Sequence, residues 1–432
     1  MRNGPRQRQP GGLIWHRDFR LLWGGETVSW LGNYMAVVAM PLLAVKLLHA
    51  SNFAVGVLVA AGYLPWLLIG LPAGAWVDQL PARRVMVTCD AVSAALYASV
   101  PLSVWAGVLT VGQLLIVALL AGTATVFFST AYQVYLRTLL TPAELVEGNA
   151  KLSGSEAAAE LAGPSLAGLL AQALGAAAAV LANAVSFLVS AACLLAIRRR
   201  GSRRPAPEQR LPLRRTIAEG VRFVARDPYL ARMTLYTMTG NLALIGFVAV
   251  QVVFLVRTLG LPSAAVGLLV AVQGVGGVAG AMVARRIIER IGTARSLLLA
   301  ALGAGPFCLL VPLASGGAGL VLYVVGIFMT AVSVVFSNVI IGSFRQAYSP
   351  PGMLGRVSAT MRFLTMGTSP LGALIGGALA AGIGPRGALW VLFAVNSAAG
   401  LFLLSRSIIR RRDLPAAAPS AVTPVPPGAV SA

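Results

Sequence analysis

The sequence has little charge and few carboxylates. Only 11% of its 432 residues are charged and 13 are Asp or Glu, whereas a soluble domain usually carries about a quarter charged residues. A single soluble core could not bury the 57% of residues that are hydrophobic. About twelve helices of about 20 residues each would account for most of the length. The composition therefore predicts an integral membrane protein that lies in a lipid bilayer.

Several kinds of functional motif are also missing. The three cysteines, Cys89, Cys193 and Cys308, all lie inside apolar runs without C-x-x-C spacing, so neither a disulfide framework nor a metal site is expected. No G-x-x-x-x-G-K sequence is present, which disfavours ATP-driven pumping. No D-x-x-D pair marks a metal-diphosphate site. We therefore expect no catalytic residue, no enzyme activity and no cofactor.

Basic residues greatly outnumber carboxylates and give a formal net charge of +21. They lie in short clusters between apolar runs, which is the pattern of cytoplasmic loops in membrane proteins rather than of a nucleic-acid surface. No nucleic-acid partner is therefore expected.

Apolar runs separated by polar breaks predict an all-α protein with twelve transmembrane helices in two pseudo-repeats of six. Residues 1–18 are predicted to be a cytoplasmic segment, 19–197 and 229–409 the two six-helix bundles, 198–228 a basic cytoplasmic linker with a short amphipathic helix around 213–224, and 410–432 a disordered tail. The predicted spans are 19–45, 53–77, 85–106, 112–135, 146–172, 174–197, 229–256, 264–288, 296–314, 319–344, 355–381 and 386–409.

The distribution of Lys and Arg predicts the topology, since positive residues near span ends favour the cytoplasm. With the N-terminus inside, the linker and most other basic loops fall on the cytoplasmic side. The other side receives little more than Lys46, Arg257 and Arg386. We expect a monomeric, multi-pass protein of the plasma membrane with both termini in the cytoplasm.

The two groups of six spans resemble each other in sequence. Parallel repeats of six spans are typical of one large transporter fold, in which the substrate site lies near the midplane between the halves. The matching positions are Gly74 with Gly280, Arg84 with Arg290, Arg137 with Arg345, Pro142 with Pro350, and Pro164 with Pro370.

The turn between spans 2 and 3 resembles the corresponding loop of the major facilitator superfamily. It has Gly74, then Asp78 four residues later, then the basic pair Arg83-Arg84. It departs from the family pattern at Gln79, where Arg is usual, and at Pro81-Ala82, where Gly-Arg is common.

Three further stretches resemble the branch that contains enterobactin exporters and macrolide or multidrug efflux proteins: 19–23, 149–168 and 356–357. The resemblance covers about residues 15–410. It implies a secondary active transporter that exports a small amphipathic compound, such as a drug, siderophore or secondary metabolite, in exchange for protons by alternating access. The alternatives are an importer or lipid flippase of the same fold, or a receptor that transports nothing.

The resemblance also implies a cytoplasmic gate. In the family, the carboxylate at the end of span 2 faces the start of span 11, where the partial positive charge of a helix N-terminus would attract it. Asp78, with the nearby arginines, would then close the inner side while the outer side is open; the alternative is that these charges only set the topology. The candidate gate residues are Gly74, Asp78, Arg83, Arg84, Arg356 and Arg362.

Four carboxylates interrupt the predicted spans. An acidic residue near the bilayer centre costs about 2.5–3.5 kcal/mol on insertion scales, so it usually faces a cavity or a partner. Glu156 and Glu160 are four residues apart, which predicts one face of span 5. The proton-coupling candidates are first Glu26 and Glu160, then Glu156, and then Asp90; the alternative is that each is a hydrogen-bonded structural group.

Span 5 also contains Gly163-Pro164 and Gly168, which predict a bend and a close helix seam and partly resemble an antiporter motif. The Arg found within span 4 of many drug-proton antiporters is missing here. A cavity for a bulky, partly apolar solute needs aromatic and neutral polar walls. Candidates for these walls are Asn33, Tyr34, Tyr63, Trp66, Tyr132, Tyr236, Asn241, Gln273 and Asn338.

Overall fold

The computed structural model describes residues 13–70, 72–77, 79–198, 213–350 and 353–415; side chains are not described for residue 75 and residues 213–218. Within these ranges the chain is almost wholly helical and forms no strand. Asp78 and residues 199–212 and 416–432, on which parts of the predicted gate, linker and tail fall, lie outside the described residues.

Twelve long helices, α1 to α12, occupy the described ranges at the positions of the twelve predicted spans. A short helix, Pro72–Val77, follows α2 in the chain. The bounds of α1 to α12 are Arg17–Leu47, Asn52–Ile69, Ala82–Trp105, Val111–Leu139, Pro142–Ala173, Ala176–Ala196, Pro228–Thr258, Ser263–Ile291, Thr293–Leu313, Gly317–Tyr348, Leu354–Gly382 and Gly384–Leu403.

Eleven of these helices are long and apolar enough to cross a membrane. The exception is α5, which has 32 residues and is therefore long enough, but whose carboxylates and other polar residues make it less apolar. It packs against α1 and α8, so its polar residues have protein neighbours on two sides. The twelve-helix, all-α fold predicted from the sequence is confirmed.

Polar side chains fix where several of the helices begin. Ser51 accepts a hydrogen bond from the backbone N–H of residue 54 at the start of α2, and Asp227 accepts two from the first turn of α7. At the start of α5, the Glu144 carboxylate accepts from the backbone N–H of Thr141, 2.9 Å away, in a capping box. These caps satisfy N–H groups that have no partner inside the helix.

The helices form two halves, α1–α6 (the N-half) and α7–α12 (the C-half). We call the end of the bundle near residue 198 and the amphipathic helix Leu213–Arg226 the linker end, and the opposite end the distal end. One apolar core at the distal end contains residues of both halves. At the linker end each half has its own core. The halves are therefore joined at the distal end and packed separately at the linker end.

Two seams of glycines bring the halves together. A Cβ atom on Gly56 of α2 would lie 2.6 Å from the Cα of Gly377 of α11. A Cβ on Gly168 of α5 would lie 2.9 Å from the Cα of Gly267 of α8. Only glycine permits backbones to approach this closely, which is how small residues join helices in membranes.

Hydrogen bonds between described residues of the two halves lie at the same end. Lys46 Nζ donates to Ser263 Oγ at 2.9 Å, and Asn52 Nδ2 donates to the carbonyl oxygen of Ala380 at 2.9 Å. Arg257 donates to Asn52 Oδ1 at 2.5 Å and to a neighbouring carbonyl. These bonds and the glycine seams close the distal end.

The amphipathic helix Leu213–Arg226 packs against the start of α11. Arg356 Nη1 lies 2.7 Å from Glu219 Oε2, and a Cβ on Gly220 would lie 3.2 Å from the carbonyl oxygen of Arg356. The predicted linker helix is therefore present and attached to the C-half.

The first residues of the predicted disordered tail are ordered. Asp413 Oδ1 accepts a hydrogen bond from the backbone N–H of Thr293 at 2.9 Å, and the backbone N–H of Leu414 donates to Thr293 Oγ1 at 2.8 Å. Arg412 and Asp413 thus accept from N–H groups at the start of α9, which have no acceptor inside the helix. The sequence pattern alone does not reveal this long-range contact.

We expect Gly168→Leu to separate α5 from α8 at the distal end. The side chain would collide with the carbonyl oxygen of Ser263, 2.5 Å from the position of a Cβ, and overpacking of this kind costs about 1–3 kcal/mol. Spin labels at Leu174→Cys and Leu261→Cys, in a background without the native cysteines, would report a longer and broader distance by electron paramagnetic resonance.

The control is Gly154→Leu on the same helix, where a Cβ meets nothing within 4 Å. An unchanged distance distribution in Gly168→Leu, or the same change in Gly154→Leu, would contradict the role of the seam.

Candidate functional site

A cavity of about 370 Å³ lies inside the N-half, between α1, α3, α4, α5 and α6. We call it the N-half cavity. Its size falls within the range of sites for small molecules. Three of the four predicted membrane carboxylates, Glu26, Asp90 and Glu156, line it. The fold thus brings together side chains that are separated by up to 130 residues in the chain.

Two of these carboxylates are almost fully buried. Glu26 is 3% exposed and Asp90 is 1% exposed. Glu26 Oε1 and Asp90 Oδ2 have no hydrogen-bond partner among the described residues. Burial of an ionised group without a partner is costly, because water no longer solvates the charge. The cavity therefore holds carboxylate oxygens that can accept a proton or a cation.

The third carboxylate, Glu156, is more exposed and lines the cavity from α5. Glu160, one helical turn further along α5, instead lines a second cavity of about 110 Å³. That cavity lies between the halves, where α7, α8 and α10 provide its other walls, and we call it the inter-half cavity. Spacing alone predicted a shared face, whereas packing gives the two carboxylates different surroundings.

The sequence-based search missed several residues of the N-half cavity. Ser29 lies between Glu26 and Asn33 on α1, and Ser129 and Gln133 lie one turn apart on α4. Polar residues that recur every three or four positions mark one face of a helix. This periodicity, applied to neutral polar residues as well as to carboxylates, would have found them. Other wall residues not predicted are Cys89, Ser93, Ala124, Thr125, Phe128 and Phe187.

Four of the predicted wall residues line one of the two cavities. Asn33, Tyr34 and Tyr132 line the N-half cavity, and Gln273 lines the inter-half cavity. Gln273 Nε2 is buried and has no hydrogen-bond partner among the described residues.

The other predicted wall residues have different neighbours. Tyr236 and Ser337 have their hydroxyl oxygens 3.0 Å apart, and Asn241 Nδ2 donates to groups of α11, the closest being the carbonyl oxygen of residue 365 at 2.8 Å. Tyr63 packs against a small apolar cluster between α2, α7 and α11. Asn338 is exposed. Trp66 lies beneath the guanidinium group of Arg362.

The predicted gate arginines have other partners in this structure. Arg83 donates to the carbonyl oxygens of Leu194 and Leu195 at the end of α6, each 2.7 Å away. Arg356 pairs with Glu219 of the linker helix, and the Arg362 guanidinium lies 5.3 Å from the centre of the Trp66 ring, which connects α11 to α2.

Two further gate candidates make few contacts. A Cβ on Gly74 would meet nothing within 4 Å, and Arg84 is exposed. Since Asp78 lies outside the described residues, its pairing with any of these arginines stays a prediction.

The glycines predicted to bend α5 lie in close contacts. A Cβ on Gly163 would lie 2.5 Å from Tyr34 Cβ on α1, and Gly168 faces α8 of the other half. The helix is continuous from Pro142 to Ala173, with Pro164 inside it. This segment thus touches both the wall of the N-half cavity and the seam between the halves.

No Lys, Arg or His is among the residues that line either cavity. Lys151, the basic residue of α5, lies 3.6 Å from Glu147 and 5.8 Å from the centre of the Trp23 ring. Within the described ranges, no group of three or more His, Cys, Asp or Glu side chains could hold a metal ion.

Comparison with known proteins gives relatives over most of the chain. The multidrug efflux pump Tap of Mycobacterium tuberculosis is 27% identical over 394 residues, covering 89% of this chain and 92% of the relative. The uncharacterized MFS-type transporter YfiS of Bacillus subtilis is 26% identical over 376 residues, covering 84% and 87%.

Solved structures share the fold at lower identity. A crystal structure of a mutant of the nucleoside transporter NupG has a TM-score of 0.76 and 14% identity, and covers 90% of this chain and 100% of that one. An inward-facing bacterial homologue of the iron transporter ferroportin has a TM-score of 0.73 and 18% identity, covering 90% and 98%.

The sequence model of the protein family described as Major Facilitator Superfamily matches residues 22–369 of this chain. Together with the twelve helices in two halves, this match shows that the chain belongs to the Major Facilitator Superfamily, a family of membrane transporters.

Proposed function

We propose that the protein is a proton-coupled exporter of a small amphipathic compound, such as a drug, a siderophore or a secondary metabolite. The observation that carries this proposal is the N-half cavity, in which Glu26 and Asp90 are buried and each has a carboxylate oxygen without a partner. Relatives named as multidrug efflux pumps support the direction of transport and the class of cargo.

The proposed coupling follows from the free energy of the buried carboxylates. An ionised carboxylate in this cavity has no Lys or Arg beside it, and burial without a partner costs on the order of several kcal/mol. A proton removes that cost by neutralising the group, so occupancy by a proton stabilises the protein when no cargo is bound. Glu26 and Asp90 are therefore the preferred proton carriers, and Glu156 is a third candidate in the same cavity.

Glu160 has a different place in the proposal. It is exposed and faces the inter-half cavity, where movement of the halves would change its surroundings. We assign it to the path of cargo or protons between the halves rather than to the buried proton site.

Alternating access is the proposed mechanism of movement. The distal end is closed by glycine seams and hydrogen bonds, while the halves have separate cores at the linker end. With the linker end in the cytoplasm, as the distribution of Arg and Lys favours, the structure is an inward-facing state. Closure of the linker end with opening of the seams would carry cargo outward.

The test of direction and coupling uses everted membrane vesicles with three fluorescent probes: the cation rhodamine 6G, the neutral dye Nile red and the anion fluorescein. Export from cells corresponds to accumulation inside everted vesicles. A pH gradient with the acidic side in the vesicle lumen drives it. The proposal is supported if at least one probe accumulates only in vesicles that contain the protein and is released when the pH gradient is dissipated. Movement of all probes that is indifferent to the gradient would contradict coupling.

In the same assay, we expect Glu26→Gln and Asp90→Asn to reduce gradient-driven accumulation to background, because each removes a buried proton acceptor. The matched control is Glu289→Gln, since Glu289 is an exposed carboxylate of α8 that pairs with Arg285 at 2.8 Å, away from the cavities. Full gradient-driven transport by both cavity variants would show that these carboxylates do not carry the proton.

The proposed gate predicts a charge-swap result at the linker end. Asp78→Arg and Arg356→Asp should each abolish transport while the protein still inserts in the membrane, and the double variant should recover part of the activity because the opposite charges face each other again. The measurement is gradient-driven accumulation, in everted vesicles, of whichever of the three probes the unmodified protein transports.

Glu219→Gln separates the gate from the linker contact, because Arg356 pairs with Glu219 in this structure. If Glu219→Gln alone loses as much transport as Arg356→Asp, and the swap restores nothing, then Arg356 acts through the linker helix and the gate hypothesis is wrong.

A further inference from the structure

The chain continues beyond its last long helix along the linker end of the C-half. Residues 404–414, which we call the C-terminal strap, follow α12 directly. Ser407 of the strap accepts two hydrogen bonds from α7: its carbonyl oxygen lies 3.4 Å from the Tyr229 hydroxyl, and its Oγ lies 3.0 Å from an Arg232 nitrogen. The next residue, Ile408, is buried in the apolar core of that end. The first part of the strap is therefore tied to α7.

The second part of the strap is fixed to the turn between α8 and α9. The carbonyl oxygen of Arg412 accepts a hydrogen bond from the backbone N–H of Ala294 at 3.1 Å, next to the bond between Asp413 and Thr293. The Arg412 side chain is exposed, and its guanidinium group donates to the carbonyl oxygen of Arg290 at 3.4 Å. The strap therefore presents its arginine side chains from a backbone that is held in place.

These contacts bring together exposed arginines from the strap and from the turn between α8 and α9, and we call this surface the basic rim. Its members are Arg290, Arg295, Arg410, Arg411 and Arg412.

The carboxylates near the basic rim have other partners. Glu289 lies 2.8 Å from Arg285, and Asp413 accepts a hydrogen bond from the start of α9. Asp227 accepts a hydrogen bond from the Tyr348 hydroxyl at 2.7 Å and caps α7. Within the described ranges, no arginine of the rim forms a salt bridge. The rim therefore keeps a net positive charge that an outside anion can neutralise.

The basic rim lies where the apolar surface of the bundle ends. Leu401 and Phe402 on the last turn of α12, and Leu404 and Ile409 on the strap, are large apolar residues with exposed side chains. Helix α12 packs against α7, α9 and α11 of its own half, so its exposed face lies on the outside of the bundle, where the lipid chains are. Basic residues that follow the end of a span lie at the level of the lipid headgroups.

We propose that the basic rim binds the headgroups of anionic phospholipids in the adjacent leaflet. Guanidinium groups pair with phosphate oxygens through charge-assisted hydrogen bonds, which are often bidentate. Arginines next to the end of a transmembrane helix are also attracted to an anionic membrane surface. With the linker end in the cytoplasm, that leaflet is the inner one. The inference does not depend on the direction or the coupling of transport.

The neighbouring apolar side chains favour a lipid over a soluble anion. A phospholipid places its phosphate against the arginines and its acyl chains against the exposed side chains of Leu401, Phe402 and Ile409, whereas a soluble phosphate ester contacts only the charges. Because the rim arginines come from both the strap and the turn between α8 and α9, a bound headgroup would bridge the two segments. Lipid binding should therefore stabilise the C-half.

The test compares phosphatidylglycerol with phosphatidylcholine of identical acyl chains, added to the purified full chain in a non-ionic detergent. Native mass spectrometry counts the bound lipids, and thermal unfolding measures the stabilisation. We expect phosphatidylglycerol to bind more tightly and to raise the unfolding temperature more than phosphatidylcholine. High ionic strength should reduce this difference, since salt screens exposed charges. Equal effects of the two lipids overturn the proposal without reference to any variant.

A variant that combines Arg410→Gln, Arg411→Gln and Arg412→Gln should weaken phosphatidylglycerol binding by roughly tenfold or more, because three charges are lost. The strap keeps its attachment, since Arg412 is bonded to Ala294 through its backbone. Unchanged binding of phosphatidylglycerol by this variant would contradict the assignment of the rim.

The matched control combines Arg17→Gln, Arg20→Gln and Arg137→Gln, which remove three exposed arginines at the linker end of the N-half. We expect this variant to retain most of the phosphatidylglycerol binding. An equal loss in both variants would mean that net charge alone attracts the lipid, and this result overturns the proposal.

A further arm uses glycerol 1-phosphate, which carries the phosphate without acyl chains. We expect it to stabilise the protein much less than phosphatidylglycerol does at the same concentration. Equal stabilisation by the two compounds would identify a site for soluble anions and overturn the assignment to a lipid.

Discussion

The close contact of backbone with backbone at the distal end is the constraint on which the arrangement of the two halves depends. Gly56 and Gly377 join α2 to α11, and Gly168 and Gly267 join α5 to α8. Within a bilayer no hydrophobic driving force holds helices together, so close packing and hydrogen bonds supply the attraction. The same end also carries an apolar core with residues of both halves and the hydrogen bonds of Lys46, Asn52 and Arg257.

Helix α5 forms part of that seam and also lines both cavities. Gly163 packs on α1 beside Tyr34, while Gly168 packs on α8. Between the capped start of the helix and these glycines, Glu156 faces one cavity and Glu160 faces the other. A movement of α5 relative to α8 would change the surroundings of Glu160, because α8 supplies a wall of the inter-half cavity. One helix thus lines the proposed proton site through Glu156 and forms the seam at the distal end through Gly168.

The polar content of α5 has the same physical origin. A lipid-facing helix cannot carry several carboxylates without a large cost, and α5 alone among the twelve helices is not apolar enough to be recognised as a span. The helix packs against α1 of the N-half and α8 of the C-half, so it is not surrounded by lipid. Two of the residues that make this helix less apolar, Glu156 and Glu160, line the two cavities.

The sequence by itself determined the twelve helices, their division into two sixes and the presence of four membrane carboxylates, because hydropathy and charge act locally along the chain. Only the tertiary structure decided that Glu26 and Asp90 share a buried cavity while Glu160 faces another, since that depends on helix rotation and on packing between distant segments. The same holds for Arg356, whose partner Glu219 lies on the linker helix, and for Asp413, which caps α9. Periodicity shows which residues share a face of one helix; it does not show which face of another helix they meet.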